Sequence, residues 1–195
     1  MMRYHLTSEG WVSRVRHLES PNQDRRPDWV RAPSLIVIHA ISLPPGKFGD
    51  DDISRLFINR LDTSLHPQYE SLKGLAVSAH FLIDRSGALT QFVATERRAW
   101  HAGVSQWNGR THCNDFSIGI ELEGTDHIPF EEAQYLTLMG LLDELCARYP
   151  IRALTGHSDI APGRKTDPGP FFDWERLKQG GKPVSRWTPK MTHSG

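Results

Sequence analysis

Between Gly156 and Pro170 the chain sets an imidazole (His157), an ammonium (Lys165) and a carboxylate (Asp167) among three prolines and three glycines. Proline lacks the N–H that helix interiors and central strands require, so this composition predicts a shaped loop rather than a regular element. Loops held in shape by a scaffold carry chemistry more often than the elements they join. Extended side chains alternate with period two, which turns Lys165 and Asp167 toward one side, with His157 available from the start of the loop. A surface loop bearing an ordinary Lys–Asp pair fits the same spacing, and such a pair contributes little.

Two more groups extend the set. Hydrolytic zinc takes neutral imidazoles and a carboxylate as ligands and keeps one tetrahedral position for water. His39 lies near the end of the apolar run Ser34-Leu35-Ile36-Val37-Ile38-His39-Ala40-Ile41 and, with His157 and Asp167, makes a His-His-Asp set. A histidine ending such a run is more often a packed core residue. Glu121 stands beside Gly119, whose missing side chain leaves room for another group, although Glu121 and Glu123 also fit a solvated strand face. Lys165 is a candidate for polarising a carbonyl or steadying an oxyanion. His101 can line a cleft, while Asn114 can bond a substrate or fix its own loop. His80 is expected to be packed, and Trp100 to be a core anchor.

The elements that must position these groups follow from periodicity. Ser34 to Ile41 is continuous and apolar, as in a buried strand. Ser117 to Glu123 alternates, with Ile118, Ile120 and Leu122 facing a core. Asp50 to Leu61 has helical spacing, and Val77 to Asp84 with Leu89 to Ala94 predict a hairpin around Arg85-Ser86-Gly87. Residues 95–116 read as a long loop rich in aromatic residues, and such loops are usually functional. Phe130 to Tyr149 is the strongest helix, stopped by Pro150. A short strand at 153–157 and a short helix at 171–177 complete the pattern. The expected fold is one mixed α/β domain, a central mixed sheet flanked by helices with the site where strands end at its edge. Residues 1–33 are expected to pack on the domain, 34–178 to form it, and 179–195 to make a flexible tail.

Composition narrows the functional classes. At 195 residues the chain can bury a substantial core. Twenty-three basic and 23 acidic side chains cancel, which gives no electrostatic footprint for nucleic acid or anionic lipid. Cys113 and Cys146 fit no metal-knuckle or redox spacing. No apolar stretch resembles a secretory signal or a membrane span, so a cytoplasmic location without membrane attachment is expected.

Longer motifs carry a family resemblance. They are Val37-Ile38-His39, Ile41-Ser42-Leu43-Pro44-Pro45-Gly46, Val77-Ser78-Ala79-His80, Arg98 through Ser105, Cys113 through Asp126, and Gly156-His157 through Pro170. In this order they resemble the AmpD-type N-acetylmuramoyl-L-alanine amidases, a branch of the zinc amidases that includes phage T7 lysozyme and the peptidoglycan recognition proteins. The resemblance implies one zinc ion per chain on His39, His157 and Asp167, with Asp rather than Cys as third ligand. It implies that Glu121 handles the proton and that Lys165 assists the charged intermediate. Tyr69, His101 and Asn114 become candidate substrate contacts. The implied reaction is metal-assisted hydrolysis of the bond between the lactyl group of 1,6-anhydro-N-acetylmuramic acid and L-alanine. The implied setting is cytoplasmic peptidoglycan recycling by a monomer acting on small soluble muropeptides.

The chain departs from the family pattern at Ala40, where Asn is usual, and at Gln68, Ala76 and His112. None of these is a proposed metal or proton group, and all bear on peptide or sugar preference. An endolysin-like amidase acting on intact murein is a second reading of the same motifs. A silent peptidoglycan-binding module is a third, which the complete ligand set disfavours.

Overall fold

The structure is a computed structural model that describes residues 3–186. In chain order the strands are β1 (Arg16–His17), β2 (Gln23–Arg25), β3 (Leu35–Ile41), β4 (Phe81–Ile83), β5 (Leu89–Gln91), β6 (Arg97–Ala99), β7 (Gln106–Trp107), β8 (Arg110–Thr111), β9 (Ser117–Glu123) and β10 (Ala153–Gly156). The helices are α1 (Asp52–Phe57), α2 (Glu132–Arg148), α3 (His157–Ile160) and α4 (Trp174–Gln179). Six strands form the main sheet in the order β1-β5-β4-β9-β3-β10. It is mixed: β3 is parallel to β9 and β10, and β4 is parallel to β9 but antiparallel to β5.

The long apolar strands occupy the middle because both of their faces can be covered. Ile36, Ile38, Ile118, Ile120 and Leu122 pack against Leu138, Leu141, Leu142 and Leu145 of α2. Each fully buried side chain of this kind contributes about 1.5–3 kcal/mol relative to exposure. The alternate residues Leu35 and Val37 face the other way, onto Ala102, Phe116 and Ile160. His39 and Glu121 continue this second face, beyond the apolar layer.

Several expectations are corrected. Strand β9 is buried along its whole length, which rules out the alternative of a solvated face at Glu121 and Glu123. Glu123 is tolerated there because its two oxygens accept the backbone N–H groups of Gly49 and Arg85, at 2.7 and 3.0 Å. The Pro/Gly-rich loop begins with a helical turn, α3, where Asp159 Oδ2 accepts from Gly156 N and Thr155 Oγ1. The helix expected over 50–61 spans only Asp52–Phe57, and the 95–116 loop carries β6, β7 and β8.

The two ends of the described chain are built in. β1 extends the main sheet through β5, and β2 pairs with β6. Buried Arg26 donates to the carbonyls of Thr95, Asn114, Asp115 and Ser117. The tail expected to be free from 179 is docked as far as Arg186. Pro183 O and Ser185 N bond the two sides of Leu154, and Arg186 pairs with Asp159 at 2.5 Å. Residues 187–195 of that segment lie outside the described residues.

Candidate metal centre

Parallel strands β3, β9 and β10 end on one side of the sheet, and the site forms there. Open α/β sheets bind ligands at this carboxyl edge. His39 comes from β3, Glu121 from the register-matched position of β9, and His157 from the residue after β10. Asp167 is returned to them by its own main chain, since Ser158 N donates to Asp167 O at 2.9 Å.

Three donor atoms converge. His39 Nδ1 and His157 Nδ1 are 3.0 Å apart, and Asp167 Oδ2 lies 3.2 Å from each. Tetrahedral zinc with ligands at about 2.0–2.1 Å would separate those ligands by about 3.3 Å. The triangle therefore has the edge lengths that such an ion requires. His157 Nε2 faces the Ala102 carbonyl at 3.1 Å. A carbonyl only accepts, so the neutral ring carries its proton on Nε2 and presents a bare Nδ1 lone pair to the triangle. A bare nitrogen, a carboxylate oxygen and a second imidazole nitrogen meeting at these distances form a group that could hold a metal ion. These residues fit zinc.

Electrostatics agree with that donor set. Burial, and then the neighbouring His157, push the His39 pKa down to about 4, so its ring is neutral at physiological pH. Burial also raises the Asp167 carboxyl, but the close His157 and His39 rings outweigh it and hold the group below the usual carboxylate range. Glu121 behaves oppositely. Burial, and then the Asp167 charge, push its pKa well above the ordinary value. Its Oε1 lies 3.9 Å from His39 Nδ1, and its Oε2 is buried with no hydrogen-bond partner. A buried oxygen left open costs stability, and such groups are characteristic of sites that handle protons.

A cleft of about 270 Å³ opens over the triangle. His39, Glu121, His157, Lys165 and Asp167 lie on its polar side, and Leu43, Leu56, Phe57, Leu72, Leu75 and Val77 on its apolar side. Lys165 is exposed. Among the described residues it forms no ion pair with Asp167, so the bland Lys–Asp pairing does not occur.

Comparison with known proteins agrees with this geometry. Residues 29–170 match the family model described as N-acetylmuramoyl-L-alanine amidase. The chain belongs to that amidase family. It is 52% identical over 175 residues to the 1,6-anhydro-N-acetylmuramyl-L-alanine amidase AmpD of Citrobacter freundii, covering 89% of this chain and 93% of that protein. A crystal structure of a selenomethionine AmpD derivative superimposes with a TM-score of 0.87 at 51% identity, covering 90% of this chain and 99% of that one. AmiD from E. coli, solved with the substrate anhydro-N-acetylmuramic acid-L-Ala-D-gamma-Glu-L-Lys, matches with a TM-score of 0.57 at 33% identity. That match covers 91% of this chain and 65% of AmiD. A human peptidoglycan recognition protein shares the fold, with a TM-score of 0.59 at 18% identity, covering 87% of this chain and 93% of that one.

Within this amidase, the remaining candidates separate. His101 lies against the triangle, its Nδ1 2.9 Å from His39 Nε2. Asn114 fixes its own loop: its Oδ1 accepts from the backbone N–H of His101 and Ala102, at 3.1 and 2.8 Å. Tyr69 is not in the cleft. It is 1% exposed, and its hydroxyl donates to Asp52 Oδ2 at 2.7 Å, because the short 3-10 helix Pro67–Leu72 turns the ring into the core. Trp100, expected in the core, is half-buried and lines the cleft. His80 is packed as expected, with its Nδ1 accepting from Gly119 N. Of the four departures, Ala40 lines the cleft, whereas Gln68, Ala76 and His112 are exposed outside it. Residue types alone gave no sign of the Ala102 carbonyl, a main-chain group, or of Asp159, whose acceptor role depends on the turn it closes.

Proposed function

We propose that the chain is a zinc amidase hydrolysing the amide between the lactyl group of 1,6-anhydro-N-acetylmuramic acid and L-alanine, acting as a monomer in cytoplasmic peptidoglycan recycling. The observation that carries this reading is the His39, His157 and Asp167 triangle, set beside a buried carboxylate with one oxygen open. The anhydro-muropeptide substrate follows from the names of the relatives that match over most of their length. No helix of the described residues is long and apolar enough to cross a membrane.

His39 and His157 would hold the metal through Nδ1 and Asp167 through Oδ2. When bound there, zinc supplies a Lewis acid and lowers the pKa of a coordinated water from about 16 toward roughly 7. Glu121, its pKa raised by burial, takes the proton of the attacking water as that oxygen bonds to the lactyl carbonyl carbon. As the C–N bond breaks, the same carboxyl returns the proton to the leaving L-alanine nitrogen, so protons balance within the site. Lys165 lines the same polar side of the cleft and would face the charge developing on the carbonyl oxygen. The apolar wall and half-buried Trp100 exclude water from the rest of the bound substrate.

The test is product analysis by mass spectrometry, using a defined anhydro-muropeptide and intact murein sacculi, each with and without chelator. Release of free peptide from the soluble substrate, abolished by chelator and restored by zinc, is the expected result. Equal release from sacculi would assign the chain to murein lysis instead. Chelator-resistant turnover would overturn the zinc reading.

A further inference from the structure

His101 touches none of the three converging donor atoms, yet it is half-buried against one ligand ring and its position is over-determined. A neutral imidazole holds one proton, and the partner of one nitrogen decides what the other can offer. The hydrogen bonds around His101 allow one assignment. Buried Ser117 Oγ lies 2.6 Å from the Cys113 carbonyl, which only accepts, so the single hydroxyl hydrogen points there. Ser117 then has only lone pairs for His101 Nε2, at 3.1 Å, and that nitrogen must carry the ring proton. His101 Nδ1 is therefore a bare acceptor. It lies 2.9 Å from His39 Nε2, which must be an N–H, leaving His39 Nδ1 bare toward Asp167 and His157.

We propose that His101 and Ser117 are positioning residues that fix the tautomer and ring orientation of His39, so that its Nδ1 lone pair stays aimed at the metal. The next residue does the same for the other ligand, through the Ala102 carbonyl on His157 Nε2. Two consecutive residues thus set both metal-facing imidazoles. Asn114 holds the pair by accepting both of their backbone N–H groups, and Arg164 Nη2 steadies the Ala102 carbonyl at 2.8 Å. Gly119 supplies the space, because a Cβ there would lie 2.4 Å from His101 Cγ. No side chain fits at 119 while the His101 ring stays where it is.

The proposal rests on the zinc reading above, and two measurements separate their failures. The first is zinc affinity by chelator competition on the full-length chain. His101→Phe, which keeps a ring but removes the acceptor, is expected to weaken zinc binding about 10- to 100-fold, the usual effect of removing a group that orients a ligand. Gly119→Ala should do likewise by displacing the ring. His101→Asn, whose amide oxygen can replace Nδ1 as acceptor, should recover most of the loss. The second is the ring-nitrogen NMR spectrum of the wild-type zinc-loaded chain, in which His101 is expected to be protonated at Nε2 and to show a through-hydrogen-bond coupling between its Nδ1 and His39 Nε2. Wild-type zinc binding with His101→Phe unchanged, or a His101 proton on Nδ1, overturns the relay alone. A wild-type chain that takes up no zinc overturns the metal reading beneath it.

Discussion

His39 and Glu121 are register partners on adjacent parallel strands, and their side chains meet over the same cleft with Nδ1 3.9 Å from Oε1. The sheet itself therefore sets the spacing between the proposed metal ligand and the proposed proton carrier. Glu121→Gln keeps the shape and removes the titrating group. It should retain stoichiometric zinc, lose roughly 10²- to 10⁴-fold in kcat, and unfold no more easily than wild type. Metal analysis, steady-state kinetics and thermal melts check the three parts, and loss of zinc would make Glu121 a structural group.

Asp167→Ala removes the one anionic donor of the triangle and leaves two imidazoles 3.0 Å apart. Zinc content should fall well below one per chain, with activity falling in proportion. Elemental analysis after dialysis reads this directly, and a variant retaining full zinc would exclude Asp167 as a ligand.

Lys165 is exposed and lines the cleft, so its removal should spare the fold. Lys165→Met is expected to lower kcat by about 10²- to 10³-fold, the range seen when one oxyanion donor is lost. KM, melting temperature and zinc content should stay near wild type. A change in KM alone would make Lys165 a substrate-binding group.

Tyr69→Phe should cost about 1–3 kcal/mol of stability, because it strips a buried hydrogen bond from Asp52. Kinetic constants should be unchanged. Denaturation and turnover measured on one preparation distinguish this core role from a substrate contact.

His80 gives a pH signature away from the triangle. Burial, and then the Arg26 charge, lower its pKa from 6.5 to about 3. Between those values the unfolded chain binds a proton that the native chain does not, so stability rises with pH and falls on acidification. The slope from this group is at most about 1.4 kcal/mol per pH unit. His80→Asn keeps an acceptor for Gly119 N and removes the titration. Urea unfolding between pH ~4.5 and ~6.5 should show a shallower dependence in the variant; identical slopes would refute a buried neutral ring.

Much of this molecule was legible in its residues, for identifiable reasons. The strands around Ile38 and Ile120 and the helix around Leu141 announce themselves because long apolar runs need cover, and the ligand types suit one metal. What escaped depends on main-chain partners. Glu123 looks solvent-facing until Gly49 N and Arg85 N are seen to satisfy it. Tyr69 looks available until Asp52 is found beneath it. β1 and β2 are two and three residues long and polar, too short for any periodicity to show.

Arg26 lies three residues ahead of the segment 29–170 that the family model spans. A chain trimmed to that segment would keep every proposed metal and proton group yet lose the guanidinium on which four carbonyls converge. Two of those carbonyls belong to Asn114 and Ser117, the residues that hold His101 in place. The segment that the family model spans thus leaves out a side chain on which the geometry around His101 leans.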